Sequence, residues 1–503
     1  MPARLLTTLV FLLAPLCFLT AQDYRGCATV GRSAWLDAYQ AGKIAPVPKS
    51  LETRFVPIHL TLVGDDNGAG YADPLTLLNS FELLNDDFAE VNVRFYIDSD
   101  IDYLSSTFYY DHDFDGGYDL MRNFNRRNTL NSYVVGNPSE ACGYYSPRGD
   151  AIALGINCIN AGNHTWSHEV GHYLSLPHTF FGWESVGDIA KVEAFNKPAP
   201  TSLRYAGRTV AVERVDRSNC ADAADGFCDT PPDYLPERWN CETGGIYKDS
   251  LLDPDSTRFA VYGANIMSYA QDGCVEAFSP EQVAAMNANL AGRSGLADAD
   301  APVFTAARVE DLSLLSPANN ERVRFSDSVQ LIWNKVPNAD FYLVQLNRGA
   351  NFSGNPLTSF FTSDTSVAIT DILLPRTKYY WRVRAVNRYD VTGDFSGVRE
   401  FVNGRELSTA TRQDALLAAA VRLSPNPVSA RHPLRLSAAG IGSGELSAQL
   451  IDLSGRVRAE QPRQRVSGSF ELEFATADLP AGIYLVRVTL DSRQLTRRVI
   501  VTP

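Results

Sequence analysis

The sequence predicts a mixed α/β domain with a twisted, mainly parallel sheet, followed by two β-sandwich domains. Strand-like and helix-like patterns alternate between residues 54 and 300, as expected for helices that cover a parallel sheet. From 310 to 402, and again from 421 to 503, short alternating runs recur between turn residues, which is typical of β-sandwiches. All eight cysteines lie before residue 275, so the two rear domains contain none.

The first domain has a regular pattern of predicted strands and helices. Apolar and polar side chains alternate in residues 55–63, 91–97 and 129–135, which predicts three strands. Residues 74–90 instead carry apolar side chains at helical spacing. Because strands separated by crossover helices pair in parallel, these segments predict a helix-covered parallel sheet.

Two further helices carry capping signals. Asn163 is a favourable N-cap for a helix that starts at about that residue. Ser279 and Gln282 have the spacing of a capping box, with Pro280 in the first turn. This second helix is expected to end near Gly292.

The composition describes an ordered, exported protein. Hydrophobic residues make up 45 % of the 503 positions, and the net charge of −13 without a basic run argues against nucleic acid as a partner. Residues 1–21 have the apolar run and small-residue cleavage site of a secretory signal peptide. The run is too short to span a membrane, so no transmembrane anchor is expected in the mature chain. Residues 22–53 have little apolar periodicity and predict a pro-segment.

Seven of the eight cysteines follow the signal peptide, and in an exported protein six of them can form three disulfides with fifteen connectivities. The count of seven is odd, so at least one cysteine must be left over. The expected disulfides are Cys142–Cys158, which closes a hairpin that turns at residues 147–150, Cys220–Cys241 and Cys228–Cys274.

Three of the seven histidines fall in one short stretch, His168-Glu169-Val-Gly-His172-Tyr-Leu-Ser-Leu-Pro-His178. The first two are four residues apart, so both imidazoles project from one face of a helix and can bind Zn²⁺. Ser175 and Pro177 end the helix, which lets His178 supply a third ligand. Three protein ligands leave a position for water, which is typical of a catalytic site, and Glu169 is placed as the general base. The alternative is a helix whose polar residues simply face solvent.

Together with Asn265-Ile-Met267-Ser-Tyr269, this stretch resembles the metzincin zinc peptidases, and the pappalysin family in particular. The resemblance covers roughly residues 27–292 and implies a metzincin-like catalytic domain over residues 54–300. Met267 would form the family's Met-turn beneath the zinc, with ordinary core packing as the alternative. Tyr269 would lie near the metal and help to hold the substrate or the oxyanion.

A cysteine-rich acidic loop follows the third histidine and resembles the corresponding loop of pappalysins, which bind calcium nearby. Carboxylates and carbonyls are the preferred ligands of Ca²⁺. A solvated loop remains an equal alternative. The candidate calcium ligands are Asp222, Asp225 and Asp229.

Cys27, in Gly26-Cys27-Ala28, resembles the cysteine element of pappalysin pro-segments, although the residue order differs. A thiolate at this position would bind the zinc and displace water, so the protein would be made as a zymogen. A stray thiol is the alternative. A second departure is Ser175, where metzincins usually have a glycine that tolerates positive φ. Serine in that conformation costs on the order of 1 kcal/mol.

The two rear domains also show resemblances. Residues 310–402 contain Leu331-Ile-Trp333, Ala339-Asp-Phe-Tyr342 and Tyr380-Trp381-Arg-Val-Arg-Ala385. With these segments they resemble a fibronectin type III domain, with a spacer as the expected role. Residues 421–503 contain Leu423-Ser-Pro425-Asn426-Pro427, Asp452-Leu-Ser-Gly455-Arg456 and Leu479-Pro-Ala-Gly482-Ile-Tyr484-Leu. With these segments they resemble the C-terminal sorting domain of the Bacteroidota type IX secretion pathway. The resemblance implies the outer-membrane secretion machinery as a partner and a final location outside the cell or on its surface.

These features predict a secreted zinc metalloendopeptidase that acts on proteins or peptides. Zinc-activated water would attack the scissile carbonyl while Glu169 takes the proton and passes it to the leaving amine. One alternative is a surface adhesin that uses an inactive peptidase scaffold for binding. Another is a zinc hydrolase that acts on a non-peptide amide.

Overall fold

The computed structural model describes most of the chain. The described residues are 25–29, 31–47, 52–192, 196–293, 295–296, 304–323, 328–352, 356–370, 372–404, 417–418, 420–429, 432–452, 455–491 and 493–502. The predicted signal peptide, residues 1–21, lies outside them. Among the described residues, no helix combines the length and apolarity needed to cross a membrane.

The first unit is built on a seven-stranded sheet. Its strands in chain order, with two short ones that pair separately, are β1 Arg25–Cys27, β2 Arg54–Gly64, β3 Val93–Ile97, β4 Asp102–Ser105, β5 Asp111–His112, β6 Leu130–Val135, β7 Asn137–Pro138, β8 Ala141–Ser146 and β9 Ala151–Gly155. The order across the sheet is β1-β8-β9-β6-β2-β3, with β4 also paired to β2. Every pairing in this sheet is parallel except that between β8 and β9. The predicted, mainly parallel sheet is therefore confirmed.

Helices cover both faces of this sheet. They are α1 Ala34–Gln40, α2 Pro74–Asp87, α3 Thr107–Tyr110, α4 Phe114–Phe124, α5 Thr165–Tyr173 and α6 Pro280–Gly292. Successive side chains of a strand point to opposite faces, so Ile152 and Leu154 join the core beneath α2 and α5. Ala151 and Ala153, from the same strand, pack with residues of α4 on the other face.

The predicted helix boundaries hold with small shifts. The Ser279 capping box and the end at Gly292 are confirmed. Helix α5 begins at Thr165 and not at about Asn163. Its N-cap residue is His164, whose side chain makes no capping hydrogen bond. Asn163 still caps locally, since its Oδ1 accepts a hydrogen bond of 2.9 Å from the Thr165 amide.

Residues between α5 and α6 form a loop-rich lobe with its own core. Two small antiparallel hairpins lie in it: β10 Ser202–Tyr205 with β11 Arg208–Ala211, and β12 Leu251–Leu252 with β13 Arg258–Phe259. Phe180, Trp183, Tyr234 and Trp239 are buried in this core.

Three disulfides cross-link the first unit, and Cys27 is the free cysteine among the described residues. The Cys142–Cys158 bridge is confirmed. The predicted pairs Cys220–Cys241 and Cys228–Cys274 are wrong, because the bonds join Cys220 to Cys228 and Cys241 to Cys274. Residues 220–228 form a tight local loop that brings its two ends together, with the two Cα atoms 5.0 Å apart. Cys241 instead lies beside Cys274, whose Sγ accepts a hydrogen bond of 3.3 Å from the Cys241 amide.

The second unit is a β-sandwich, as predicted. Its strands are β14 Leu314–Ser316, β15 Glu321–Val323, β16 Ser328–Trp333, β17 Phe341–Asn347, β18 Thr358–Thr362, β19 Ser366–Thr370, β20 Lys378–Val386 and β21 Arg399–Asn403. They form a three-stranded sheet and a five-stranded sheet. Trp333, Tyr342 and Trp381 are buried in its core.

This sandwich packs against the first unit. The Ile97 amide at the end of β3 donates a hydrogen bond of 3.0 Å to the Arg388 carbonyl. Tyr389 lies 4.6 Å from Tyr96 and 6.0 Å from Phe55, measured between ring centroids. Buried Leu343 belongs to the same core as α2.

The third unit consists of β22 Val421–Ser424, β23 Val428–Ser429, β24 Leu434–Asp452, β25 Val457–Phe474, β26 Gly482–Leu490 and β27 Arg493–Thr502. These strands form one hydrogen-bonded sheet of six strands rather than the two separate sheets expected of a sandwich. The reason is the length of β24, which pairs with β22 in its first part and with β26 in its last.

Candidate metal centre

Helix α5 carries His168, Glu169 and His172 into the interior. All nine of its residues are buried, because Trp166, Val170 and Tyr173 pack into the core beneath the sheet. The chain leaves this helix through Ser175.

Ser175 has a left-handed backbone conformation, with φ of +79°. This is the conformation that glycine adopts more readily than serine. Its hydroxyl accepts a hydrogen bond of 2.8 Å from Asn289 Nδ2 in α6. Serine thus makes a turn with positive φ, and it gains a side-chain contact that glycine cannot provide.

The three predicted histidines converge on one point. His172 Nε2 lies 3.1 Å from His168 Nε2 and 3.1 Å from His178 Nε2. Each Nδ1 faces an acceptor: the carbonyl of Ile266 at 2.7 Å for His168, the carbonyl of Leu176 at 2.7 Å for His172, and Glu184 Oε1 at 2.9 Å for His178. The Nδ1 atoms therefore carry the protons, and the three Nε2 lone pairs face one another.

This arrangement fits a zinc ion. Burial lowers the pKa of His168 and His178 to about 3 and that of His172 well below its ordinary value, so all three imidazoles are neutral. Lone pairs held this close repel one another unless a cation lies between them. Tetrahedral Zn²⁺ with bonds of about 2.0–2.1 Å would separate its ligand nitrogens by about 3.3 Å, close to the observed spacing.

Glu169 lies beside the three histidines and is fully buried. Its Oε2 accepts hydrogen bonds from Thr29 Oγ1 at 3.1 Å and from Cys27 Sγ at 3.4 Å. Its Oε1 is buried and has no hydrogen-bond partner among the residues that the structure describes. Burial raises the pKa of Glu169 to about 8, which is suitable for a group that takes up and releases a proton near neutral pH.

Cys27 joins this group from the N-terminal segment, defined here as residues 25–47. One ligand atom each from Cys27, His168, His172 and His178 lies within 4.8 Å of the others. The segment is held by β1, whose Cys27 is in register with Gly143 of β8. Burial and the Glu169 carboxylate raise the pKa of the Cys27 thiol, so a thiolate here needs a cation beside it.

Met267 and Tyr269 complete the surroundings. Met267 is fully buried beneath α5, and a Cβ atom on Gly171 would meet its Sδ at 2.5 Å. Glycine at position 171 therefore permits the helix to approach the methionine. The Tyr269 hydroxyl donates a hydrogen bond of 2.6 Å to the Cys27 carbonyl oxygen, and its ring lies 4.9 Å from that of His178.

Glu184 is a further residue of the site and is not among the predicted ones. Its carboxylate orients His178 by accepting a hydrogen bond from His178 Nδ1. The Gly182 amide donates a hydrogen bond of 2.7 Å to Glu184 Oε2 and fixes the carboxylate. Metal-binding histidines commonly donate their other N–H to a carboxylate. A glutamate six residues after the third histidine was therefore a usable signal.

The three predicted calcium ligands have different surroundings. Asp222 is exposed in a single helical turn. Asp229 caps α6, since its carboxylate accepts hydrogen bonds of 2.7 Å from Ser279 Oγ and from the Glu281 amide. Asp225 is buried. Burial and the charge of Asp225 raise the pKa of Glu213, a second buried carboxyl that is not among the predicted calcium ligands.

The carboxyls of Glu213 and Asp225 are each about 1 % exposed. Burial raises the pKa of Glu213 to about 9 and that of Asp225 to about 7. Within the described part of the chain, Glu213 Oε1 has no hydrogen-bond partner. Thr230 Oγ1 lies 3.1 Å from both oxygens of Asp225.

Comparison with known families identifies the C-terminal unit. Residues 422–502 match the family described as Secretion system C-terminal sorting domain. This part of the chain is therefore a sorting domain of the type IX secretion pathway, and a location outside the cell or on its surface fits it. No curated protein matches the chain.

Solved structures with similar parts include fibronectin domains. The fibronectin(III)-like modules of Clostridium thermocellum CbhA are 15 % identical, with 38 % of this chain and 94 % of that chain covered and a TM-score of 0.16. Chicken CNTN1 FN1–FN3 domains are 13 % identical, with coverages of 51 % and 77 % and a TM-score of 0.16. At these TM-scores the likeness carries no conclusion about function.

Proposed function

We propose that this protein is a secreted zinc-dependent endopeptidase of the metzincin type, made as a latent precursor. The observation that carries the proposal is the convergence of three neutral imidazoles beside a buried glutamate, with His172 Nε2 lying 3.1 Å from the Nε2 atom of each of the other two. The pappalysin-like pattern of Met267 and Tyr269 supports it.

His168, His172 and His178 would hold the zinc. When bound there, Zn²⁺ supplies Lewis acidity, which polarises a carbonyl group and strengthens water as a nucleophile. Glu169 takes a proton from the attacking water and passes it to the nitrogen of the leaving amine. Its unpartnered Oε1 and its raised pKa are consistent with that role.

The edge of β8 would bind the substrate backbone. Residues 25–27 already occupy this edge as an added strand, so it accepts an extended segment. The Tyr269 hydroxyl donates to the Cys27 carbonyl oxygen there. In the active enzyme the same hydroxyl would donate to a substrate carbonyl and stabilise the developing oxyanion.

The N-terminal segment would keep the enzyme latent. The Cys27 thiol lies beside the three histidines that would hold the zinc. The cavity next to it, lined by Gly26, Glu169 and Asp272, has a volume of only about 20 Å³. A thiolate bound to zinc would exclude the water that the reaction requires. Activation then requires removal of this segment.

Calcium is proposed at Glu213 and Asp225 rather than at the full predicted set. Two buried carboxyls whose pKa values are raised, one with an unpartnered oxygen, need a cation if both are to ionise. Carboxylate and hydroxyl oxygens are ligands that Ca²⁺ accepts, and Thr230 provides the hydroxyl.

The alternative function is a surface adhesin with an inactive peptidase scaffold. The buried, unpartnered Glu169 oxygen argues against it, because an unpaired buried carboxylate oxygen costs stability that a binding scaffold has no reason to retain. Hydrolysis of a non-peptide amide would use the same groups, and substrate assays must separate it from peptide cleavage.

The test is cleavage of casein and of a peptide library by the full chain after proteolytic removal of the N-terminal segment. We expect cleavage with zinc, its loss with a chelator, and its return when zinc is restored. Glu169→Gln should lower kcat by about 10²–10⁴-fold, whereas Glu90→Gln, at an exposed position, should not. Cleavage that survives Glu169→Gln would refute the proposal, and activity only on non-peptide amides would favour the alternative hydrolase.

A further inference from the structure

The N-terminal segment has a second attachment to the first unit, away from Cys27. Arg32 Nη1 donates hydrogen bonds of 2.8 Å to the Asp225 carbonyl and 3.3 Å to the Ala224 carbonyl. The Arg32 side chain is 11 % exposed, and its guanidinium carbon lies 5.9 Å from the centre of the Phe181 ring. A guanidinium is thus held by carbonyl groups and an aromatic ring, as is typical of arginine recognition.

Gln40, at the end of α1, binds the same loop. Its Nε2 donates hydrogen bonds of 3.1 Å to the Asp225 carbonyl and 2.9 Å to the Gly226 carbonyl. Gly226 has φ of +75°, and a Cβ there would lie 2.6 Å from Gln40 Oε1 and 2.9 Å from Arg32 Nη2. The glycine therefore lets three successive carbonyls approach the two donors.

An ion pair and an apolar contact add to this attachment. Asp37 accepts from Arg32 at 2.9 Å and from Arg208, on β11, at 2.6 Å. Leu36, in the same turn of α1, is fully buried in the core of the first unit. All of these contacts lie between residues 32 and 40, so none of them depends on the Cys27 thiol.

We propose that the carbonyls of residues 224–226, together with Phe181 and Arg208, form a binding site for an arginine-bearing peptide segment. In the precursor this guanidinium site is filled by Arg32 and its neighbours, and it holds the N-terminal segment independently of the thiol at the zinc. As an explanation of latency this inference rests on the proposed function.

The consequence is that loss of the thiol alone does not release the segment. A helix of seven residues, such as α1, is not stable by itself in water, so its amides are protected from hydrogen exchange only while it is docked. Exchange in α1 therefore reports occupation of the guanidinium site, without reference to catalysis.

The experiment compares full-length variants by hydrogen exchange and by peptidase activity before any cleavage of the segment. Cys27→Ser should retain the protection of α1, and its activity should rise only in part. Adding Arg32→Ala to Cys27→Ser should speed exchange in α1 by at least about 10-fold and raise the activity further, since hydrogen bonds from a charged donor are lost. Adding Arg32→Lys to Cys27→Ser should give an exchange rate in α1 and an activity between those of Cys27→Ser and of the variant that also carries Arg32→Ala. The reason is that an ammonium cannot reproduce the guanidinium fork.

Lys43→Ala is the matched control, because it removes one positive charge from the exposed end of the same segment. It should leave the exchange of α1 unchanged. Free exchange of α1 in Cys27→Ser alone, or an Arg32→Ala effect no larger than that of Lys43→Ala, would overturn the guanidinium site. If no variant cleaves any peptide after removal of the segment, the proposed function fails, while the exchange data still decide on the site.

Discussion

At the scale of single residues, Ser175 shows how one position can meet two demands. It supplies the positive φ that turns the chain from α5 toward His178, and its hydroxyl accepts a hydrogen bond from buried Asn289. Replacing serine by alanine keeps the strained backbone but removes the acceptor. Glycine also removes the acceptor but relieves the strain.

We therefore expect Ser175→Ala to lower the free energy of unfolding by about 1–3 kcal/mol, because Asn289 loses a buried partner. Ser175→Gly should be more stable than Ser175→Ala by about 1 kcal/mol. Chemical denaturation of the three proteins measures both differences. If Ser175→Ala were the more stable of the two variants, the strain at this turn would be negligible.

Glu184 is the second residue with a defined expectation. It orients His178 through a bond of 2.9 Å, so Glu184→Gln should retain the fold but lower the zinc affinity by about 10–100-fold. Competition with a chromophoric chelator measures the affinity. Glu237→Gln is a control, since that glutamate accepts a bond from the Ile189 amide near the lobe surface. Equal zinc affinities in the wild-type and Glu184→Gln proteins would remove Glu184 from the site.

At the scale of elements, the sequence predicts what depends on local spacing. His168 and His172 are one helical turn apart, and the Ser279 capping box is a contiguous pattern, so both could be assigned without a structure. Cys220 pairs with Cys228 because of the path of a loop that has no periodic pattern. Asp225 acts electrostatically on Glu213 for the same reason, because only the folded chain brings the two residues near each other.

The loop that contains Asp225 is also where pH should matter. Folding raises the pKa of Glu213 to about 9 and that of Asp225 to about 7, so each carboxyl binds its proton more tightly in the folded state. Without calcium, the stability that these two protonated carboxyls contribute is fully present below about pH 4. It falls as the pH rises above that value, and it is lost once the pH has passed the folded pKa values of about 7 and about 9. Calcium should reverse the loss above pH 7.

We accordingly expect added Ca²⁺ to raise the thermal midpoint of the first unit strongly at pH 8 and little at pH 5. Glu213→Gln should abolish most of that response, because one of the two buried charges is removed. Calorimetry at both pH values, with Mg²⁺ as the control cation, measures it. A calcium response of equal size in Glu213→Gln would place the ion elsewhere.

At the scale of the whole molecule, the first β-sandwich packs against the first unit and extends it. Edge strand β3 would otherwise expose unpaired backbone groups, and the Ile97 amide is instead satisfied by the Arg388 carbonyl of the sandwich. Tyr389 stacks with Phe304 at 5.5 Å and approaches Tyr96 at 4.6 Å. A shared core and a covered edge mean that the two units should unfold together, whereas a spacer would unfold alone.

Tyr389→Ala tests this coupling in the full chain. The change should cost about 1–3 kcal/mol, because aromatic contacts across the boundary are lost. It should also increase hydrogen exchange in β3 and α2 of the first unit, although Tyr389 belongs to the second. Tyr380→Ala is the control, because Tyr380 contacts Lys378 within the sandwich. Destabilisation that stays within the sandwich in both variants would show two independent units, and β3 would then need protection from some other source.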